Sequence, residues 1–244
     1  MQKILIIAGC TAVGKSAFAL ELSNFLDMEI VSADSIQVYK GIEVATSKPT
    51  KQEERICKHH LINIVSPFEK FNAFDFVQKA KECITEIASK GKLPVIVGGT
   101  GLYIDSLLYG FDFQSKNKEL QYDAKYIFLD DERENIYSKI NLRVDKMLQN
   151  GLIDEVKKLR DIGLNEDCHQ CMQAIGYKEI WDYLEGRTAL DEAITLIKKN
   201  TRNYAKRQLT WFNHNDCERV NINDKNQLIQ TLIEFYPEYQ KKAI

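Results

Sequence analysis

The chain is poor in the residues that break structure, with 4 Pro and 12 Gly among 244 residues. That scarcity argues against a linker-rich array. No uninterrupted apolar run approaches the roughly 18 residues that a membrane span requires. The first apolar stretch, Ile4–Cys10, runs into a glycine loop and not into a cleavage site, so a cytoplasmic protein without a membrane segment is expected. Cysteine is sparse as well: six residues at 10, 57, 83, 168, 171 and 217 lack the density of a disulfide scaffold and suit a reducing compartment. Charge of one sign is also lacking, since Lys+Arg 33 against Asp+Glu 35 gives a formal −2. Whole-molecule charge therefore does not advertise nucleic-acid binding. What remains is ordinary globular material, 44% hydrophobic and 28% charged, enough for one large domain or for one with a lobe attached.

Along the chain, a β-branched run over Lys3–Ala8 leads through a glycine loop into Lys15–Leu26, where Phe18, Leu22 and Phe25 recur at helical spacing. Strands are expected at Glu29–Ser32, His60–Val65, Leu93–Val97 and Tyr126–Leu129, with helices near Thr50–Lys58 and Phe74–Lys90. Such alternation predicts an α/β fold, a parallel sheet covered by helices on both faces. The pattern then becomes helical: Glu132–Asn150, Leu152–Asp161, Tyr177–Leu184 and Ala189–Leu209, the first three stopped near Gly151, Gly163 and Gly186. A strand near Arg219–Ile222 and a helix from Lys225 close the chain.

Gly9-Cys10-Thr11-Ala12-Val13-Gly14-Lys15-Ser16 matches GxxxxGK(S/T) in full, between a predicted strand and a predicted helix. Glycines let the backbone N–H groups turn toward phosphate oxygens, the helix start adds its positive end, Lys15 reaches the terminal phosphate and Ser16 is placed to ligate Mg²⁺. A polyphosphate is expected here, of a kind the loop alone does not decide. Asp34, just past the second strand in Ser32–Gly41, suits a general base or a magnesium-shell ligand, and equally an N-cap or Asx-turn. Gly98-Gly99-Thr100-Gly101-Leu102-Tyr103 opens on the same sheet edge, where its glycines are expected to admit a ligand close to the backbone and Thr100 to offer a hydroxyl. Lys198, Lys199, Arg202, Lys206 and Arg207 lie in an acid-free stretch whose helical spacing puts Lys199, Arg202 and Lys206 on one side, either a solvated face or a phosphate-contacting one.

The phosphate loop, ADSIQVYKG, TSKPT ending at Thr50, HHLI at His59–Ile62, GGTGLY, AIGYKEIW at Ala174–Trp181 and AKRQLTWF at Ala205–Phe212 together resemble the tRNA dimethylallyltransferase family. The resemblance runs over nearly the whole chain. It implies a P-loop NTPase-like core that transfers a dimethylallyl group from dimethylallyl diphosphate to the N6 of an adenine beside the anticodon, with Mg²⁺ assisting. It also implies Gly9–Ser16 as the diphosphate loop, Asp34 as base, Thr100 as a residue positioning the amine and Arg143 near the diphosphate. Ser35, Ile36 and Gln37 are implied at the target nucleotide, and Lys199, Arg202, Lys206 and Arg207 on RNA phosphates, while Arg207 and Gln208 equally suit buried support of the site. The implied partner is a tRNA anticodon stem-loop, and a monomer is expected.

The chain departs from that family in one region. Family members carry a helical insertion after the segment that follows GGTGLY, where only the polar stretch Gln114–Asp123 stands here. The expected organisation is one core over 1–244, with a phosphate-binding part at 1–113, a short connection at 114–123 and the remaining strands and helices at 124–244. Cys10 stands where the family has proline. Cys168 and Cys171, and Cys57 with His59 and His60, have metal-like proximity in sequence but no second pair, so structural roles are expected. Tyr177, Trp181, Tyr183, Trp211 and Phe212 are expected chiefly in the core. Three rival functions share the motif set: prenyl transfer to free adenine nucleotides, an ATP-binding P-loop kinase, and a weakened paralogue that only binds RNA. A kinase gives no reason for GGTGLY and KRQLTW, and no arginine-rich lid follows the phosphate loop.

Overall fold

A computed structural model of the chain describes residues 1–111 and 120–241. Residues 114–119 of the expected connection lie outside them. Among the described residues, strands β1 (Lys3–Gly9), β2 (Met28–Ala33), β3 (His59–His60), β4 (Leu93–Gly98), β5 (Asp123–Asp130) and β6 (Glu218–Asn221) form one sheet in the order β3-β2-β4-β1-β5-β6. Every pairing is parallel. β1 lies between β4 and β5 and reads as a continuous apolar run because both its faces are covered. Successive side chains go to opposite faces. Ile4 and Ile6 join one apolar cluster, Leu5 and Ile7 the other.

The helices are α1 (Lys15–Leu22), α2 (Lys51–Ile56), α3 (Ala73–Ser89), α4 (Gly101–Tyr109), α5 (Arg133–Gln149), α6 (Leu152–Asp161), α7 (Tyr177–Leu184), α8 (Leu190–Phe212) and α9 (Lys225–Phe235). α3, α4 and α7 pack in the Ile4/Ile6 cluster, α1 and α9 in the Leu5/Ile7 cluster, while α5 and α8 contribute to both. Sequence signals account for several boundaries. Thr50 and Asn72 each close a capping box, on α2 and α3, and the stop after α5 is Gly151 at φ 89°, which a side chain rarely adopts.

Three expectations need correction. The third strand is His59–His60 and not His60–Val65, because Leu61 and Asn63 take left-handed φ values of 61° and 56° that end the extended run. α1 stops at Leu22, four residues early, in turns closed by Asn24 N–H on Glu21 O and Phe25 N–H on Leu22 O. α4 was not expected: Tyr103–Leu108 is buried throughout, so the helix has no polar face to set a period.

Because β1, β2 and β4 run the same way, the loops leaving them open on one edge of the sheet. That edge carries the cavity described next.

Candidate active site

The loop from β1 to α1 is built for an anion. A Cβ on Gly9 would stand 2.8 Å from Leu129 O, and Gly14 sits at φ 114° as the cap of α1, so both positions require glycine. The N–H groups of Lys15, Ser16 and Ala17, in the first turn of α1, have no intrahelical acceptor. Lys15 Nζ donates to Gly9 O (3.0 Å) and Cys10 O (2.9 Å), folding the ammonium back over the loop. Burial pushes Lys15 down to about 8, against the charges of Cys10 and Asp34, which act upward. The Cys10 thiol is buried and burial pushes it up to about 11.

Lys15, Ser16 and Asp34 line one cavity of about 730 Å³, together with Gln37, Arg143, Tyr204 and Arg207. Asp34 does form the Asx-turn: Oδ1 accepts from Ile36 N–H (2.8 Å) and Gln37 N–H (3.1 Å). The turn does not exclude a chemical role, because it fixes the carboxylate while Oδ2 has no protein donor among the described residues. Ser35 N–H donates to Thr100 Oγ1 (3.3 Å), tying the Asp34 loop to the Gly98–Tyr103 loop. Gln37 accepts from Ser32 Oγ (2.8 Å) and donates to Thr46 O (3.0 Å).

Arg143, on α5, reaches the site from the helical half. Nη1 donates to Thr11 Oγ1 (3.0 Å) and Nη2 to Ala45 O (3.1 Å), while Nε is buried with no acceptor among the described residues. Burial lowers its pKa and the Asp34 charge opposes that shift. A buried unsatisfied donor is costly, which suits this group to an oxygen of an anionic ligand.

The basic residues of α8 differ in how far they are engaged by the protein. Lys199 and Lys206 are exposed; Arg202 Nη1 is committed to Asn141 Oδ1 (2.8 Å); Lys198 pairs with Asp145 (2.6 Å). Arg207 lines the cavity with its guanidinium 5.7 Å from the Tyr204 ring centre. Gln208 is buried, with Oε1 accepting from Thr11 N–H (2.8 Å) and Nε2 donating to Gly99 O (2.9 Å).

Two cavity residues were missed by sequence reasoning. Tyr204 lines the cavity, and burial, reinforced by Asp34, pushes its phenol up to about 12. Its position three residues before Arg207, on the same helix face, was a usable signal. Lys48 lies in TSKPT with its side chain 4% exposed, donating to Tyr39 O (2.5 Å) and Asn63 Oδ1 (2.6 Å). Burial lowers it against the pull of Glu43. The glycines of GGTGLY also make room for protein. A Cβ would stand 2.2 Å from Ala33 O at Gly98, from Gln208 Nε2 at Gly99 and from Trp211 Cδ1 at Gly101, while Gly98 and Gly99 also line the cavity. Trp211 is 42% exposed, with Nε1 donating to Asp105 Oδ2 (2.9 Å).

Among the described residues no group of three or more His, Cys, Asp or Glu stands ready to hold a metal. His59 Nδ1 meets Cys57 O (2.8 Å), His60 Nε2 meets Glu29 Oε2 (2.7 Å), and Cys171 Sγ meets Pro67 O (3.3 Å). The hard oxygens beside Lys15, from Ser16 and Asp34, fit a Mg²⁺ that takes most of its ligands from phosphate and water.

Known proteins sharing these features are plain to identify. The IPP transferase family model matches residues 37–125 and 112–215, in two pieces that meet at 112–125. A tRNA dimethylallyltransferase of Bacillus velezensis is 37% identical over 86% of this chain and 88% of its own. One from Streptococcus thermophilus is 39% identical over 86% and 87%. The alignment to the Bacillus protein runs to 277 positions, more than the 244 residues present here. A crystal structure of the tRNA isopentenylpyrophosphate transferase of Bacillus halodurans superposes with a TM-score of 0.89 at 33% identity, covering 98% of each chain. The fold is shared also with a eukaryotic dimethylallyltransferase acting on tRNA, with a TM-score of 0.88, 23% identity and coverage of 100% of this chain and 81% of that one. On these matches, the chain belongs to the tRNA dimethylallyltransferase family.

Proposed function

We propose that the protein transfers a dimethylallyl group from dimethylallyl diphosphate to the N6 of an adenine next to the tRNA anticodon. The observation that carries the reading is one cavity lined on one side by the phosphate loop with Lys15 and on another by an Asx-fixed Asp34. The diphosphate lies in the Gly9–Ser16 loop, against the amides at the start of α1, Lys15 and Arg143. These groups stabilise the negative charge that develops as the allylic C–O bond breaks and the electron pair leaves with the diphosphate. Ser16 would hold a Mg²⁺ here, and that ion would supply further neutralisation of the diphosphate charge. The N6 nitrogen forms the new C–N bond and its proton passes to Asp34, because the amine's lone pair is delocalised and needs a base as bonding proceeds.

Thr100 positions the amine through its link to Ser35, and Ser35, Ile36 and Gln37 contact the target nucleotide. The base must leave its stack to enter the cavity, which costs least in a single-stranded loop. Lys199, Lys206 and Arg207 contact RNA phosphates, whereas Arg202 supports α5. No described helix is long and apolar enough to cross a membrane. A cytoplasmic monomer fits this reading.

The stretch 114–123 replaces the family's helical insertion and leaves one core over 1–244. Support comes from the two-piece family match and from relatives carrying positions with no counterpart here. The same observation favours a second acceptor, a free adenine nucleotide that needs no grip on a tRNA stem. Incubation with dimethylallyl diphosphate, Mg²⁺ and either tRNA or AMP, followed by nucleoside mass analysis, separates the two. Prenylated AMP with unmodified tRNA overturns the tRNA assignment.

A further inference from the structure

Gln208 joins two loops that the proposed reaction needs at a fixed spacing. Its Oε1 accepts from Thr11 N–H at 2.8 Å, in the loop that cradles the diphosphate. Its Nε2 donates to Gly99 O at 2.9 Å, beside Thr100. The side chain is 5% exposed, and the space a Gly99 side chain would take is filled by Nε2, 2.2 Å from the Cβ position. Two turns of chemistry thus meet at one amide, which is both donor and acceptor. Neither a carboxylate nor an alkyl group of the same size can make both bonds.

The grip is also selective. Thr11 is the third residue of the loop; its N–H is held by Gln208 and that of Val13 by Cys10 O (3.4 Å), while the amides of Lys15 and Ser16, at the helix start, are left for phosphate oxygens. Arg143 holds the same residue at Oγ1 (3.0 Å), so Thr11 is fixed at two points beside the helix start that faces a ligand. Gln208 belongs to α8, which also seats Trp211 against Gly101 and presents Lys206 and Arg207 outward.

We propose that Gln208 is a positioning residue for prenyl transfer, setting the distance between the diphosphate cradle and the loop that presents the acceptor amine. The proposal rests on the functional reading above. A reaction between two bound groups is sensitive to their separation, so loss of the spacer lowers the transfer rate of the bound complex more than the affinity for either substrate.

The test compares wild type with Gln208→Leu and Gly99→Ala, the latter driving Nε2 from its place. Binding of dimethylallyl diphosphate and of tRNA is measured separately from single-turnover transfer, and exchange of the Thr11 amide proton is followed by NMR. Both variants are expected to transfer about 100-fold more slowly with substrate affinities within about 3-fold of wild type, and with faster Thr11 exchange. In the Gln208→Ala background, Gly99→Ala is expected to add little, because the two act through one contact. Wild-type transfer rates in Gln208→Leu, or an affinity loss equal to the rate loss, overturn the proposal. A wild-type protein that prenylates neither tRNA nor AMP overturns the functional reading instead, and unchanged Thr11 exchange in the variants then still refutes the grip.

Discussion

Arg143 and Thr11 stand 132 residues apart in the chain and are joined by a 3.0 Å hydrogen bond from guanidinium to hydroxyl, across the boundary between the helical half and the sheet. The second arm of the same guanidinium holds Ala45 O, so one side chain ties the phosphate loop to the wall of the cavity. A lysine in this place carries the charge but not the planar fork. Arg143→Lys is expected to lower kcat/KM for dimethylallyl diphosphate by about 100-fold while tRNA affinity is kept. Steady-state kinetics with each substrate varied in turn checks this, and a change below about 3-fold removes Arg143 from the diphosphate site.

Asp34 offers a cleaner separation of structure from chemistry than most bases do. An asparagine keeps an oxygen for the N–H groups of Ile36 and Gln37, so the Asx-turn survives while proton acceptance is lost. Asp34→Asn is expected to melt within a few degrees of wild type, to bind the diphosphate normally and to lose about 100- to 10,000-fold in kcat. Asp34→Ala loses both the turn and the base and is expected to be less stable than Asp34→Asn. Full turnover in the asparagine variant assigns Asp34 to the turn alone.

Legibility from sequence followed distance along the chain. The phosphate loop was readable because eight consecutive residues carry it, and the parallel sheet because its strands and helices alternate with distinct periods. α4 was not, since six consecutive buried residues, Tyr103–Leu108, erase its period, and the packing role of the GGTGLY glycines was hidden because the groups they make room for, Ala33, Gln208 and Trp211, come from elsewhere in the sequence. The same holds for the Gln208–Thr11 contact, which spans 197 residues. Lys48 and Tyr204 were hidden for a different reason: each resembles an exposed helix or loop residue until tertiary packing encloses it.

Lys15 makes the site sensitive to alkaline pH. Burial holds its pKa at about 8, below the usual 10.5, so the empty site begins to lose its positive charge as pH rises through 8. Diphosphate affinity is therefore expected to be greatest below that point and to fall as pH passes from 8 to 9.5. Binding in this range takes up a proton, because the bound anion raises the lysine again. The stability effect of the same group has the opposite slope: a folded pKa below the unfolded one means that the charged lysine burdens the free fold below 8, and that this burden is relieved between 8 and 10.5. Calorimetry in two buffers of different ionisation enthalpy reads the proton uptake. An affinity that stays flat from pH 7.5 to 9.5 contradicts the lysine's assigned role.

Lys206 separates RNA contact from support of the site. It is exposed on α8, one residue from Arg207 at the cavity wall and two from the buried Gln208. A phosphate-contacting lysine contributes through released counterions, so its removal weakens binding to every RNA alike and shallows the dependence of log K on log salt by about 0.7 to 1. Lys206→Ala is expected to do this with kcat at saturating tRNA unchanged within about 2-fold, since no cavity contact is lost. The comparison with Arg202→Ala is informative. Arg202 is already committed to Asn141, so its loss is expected to lower the melting temperature and leave the salt slope nearly as it was. Binding isotherms for an anticodon stem-loop between about 50 and 200 mM salt distinguish the two variants, and equal slopes for wild type and Lys206→Ala place the RNA elsewhere than on this helix.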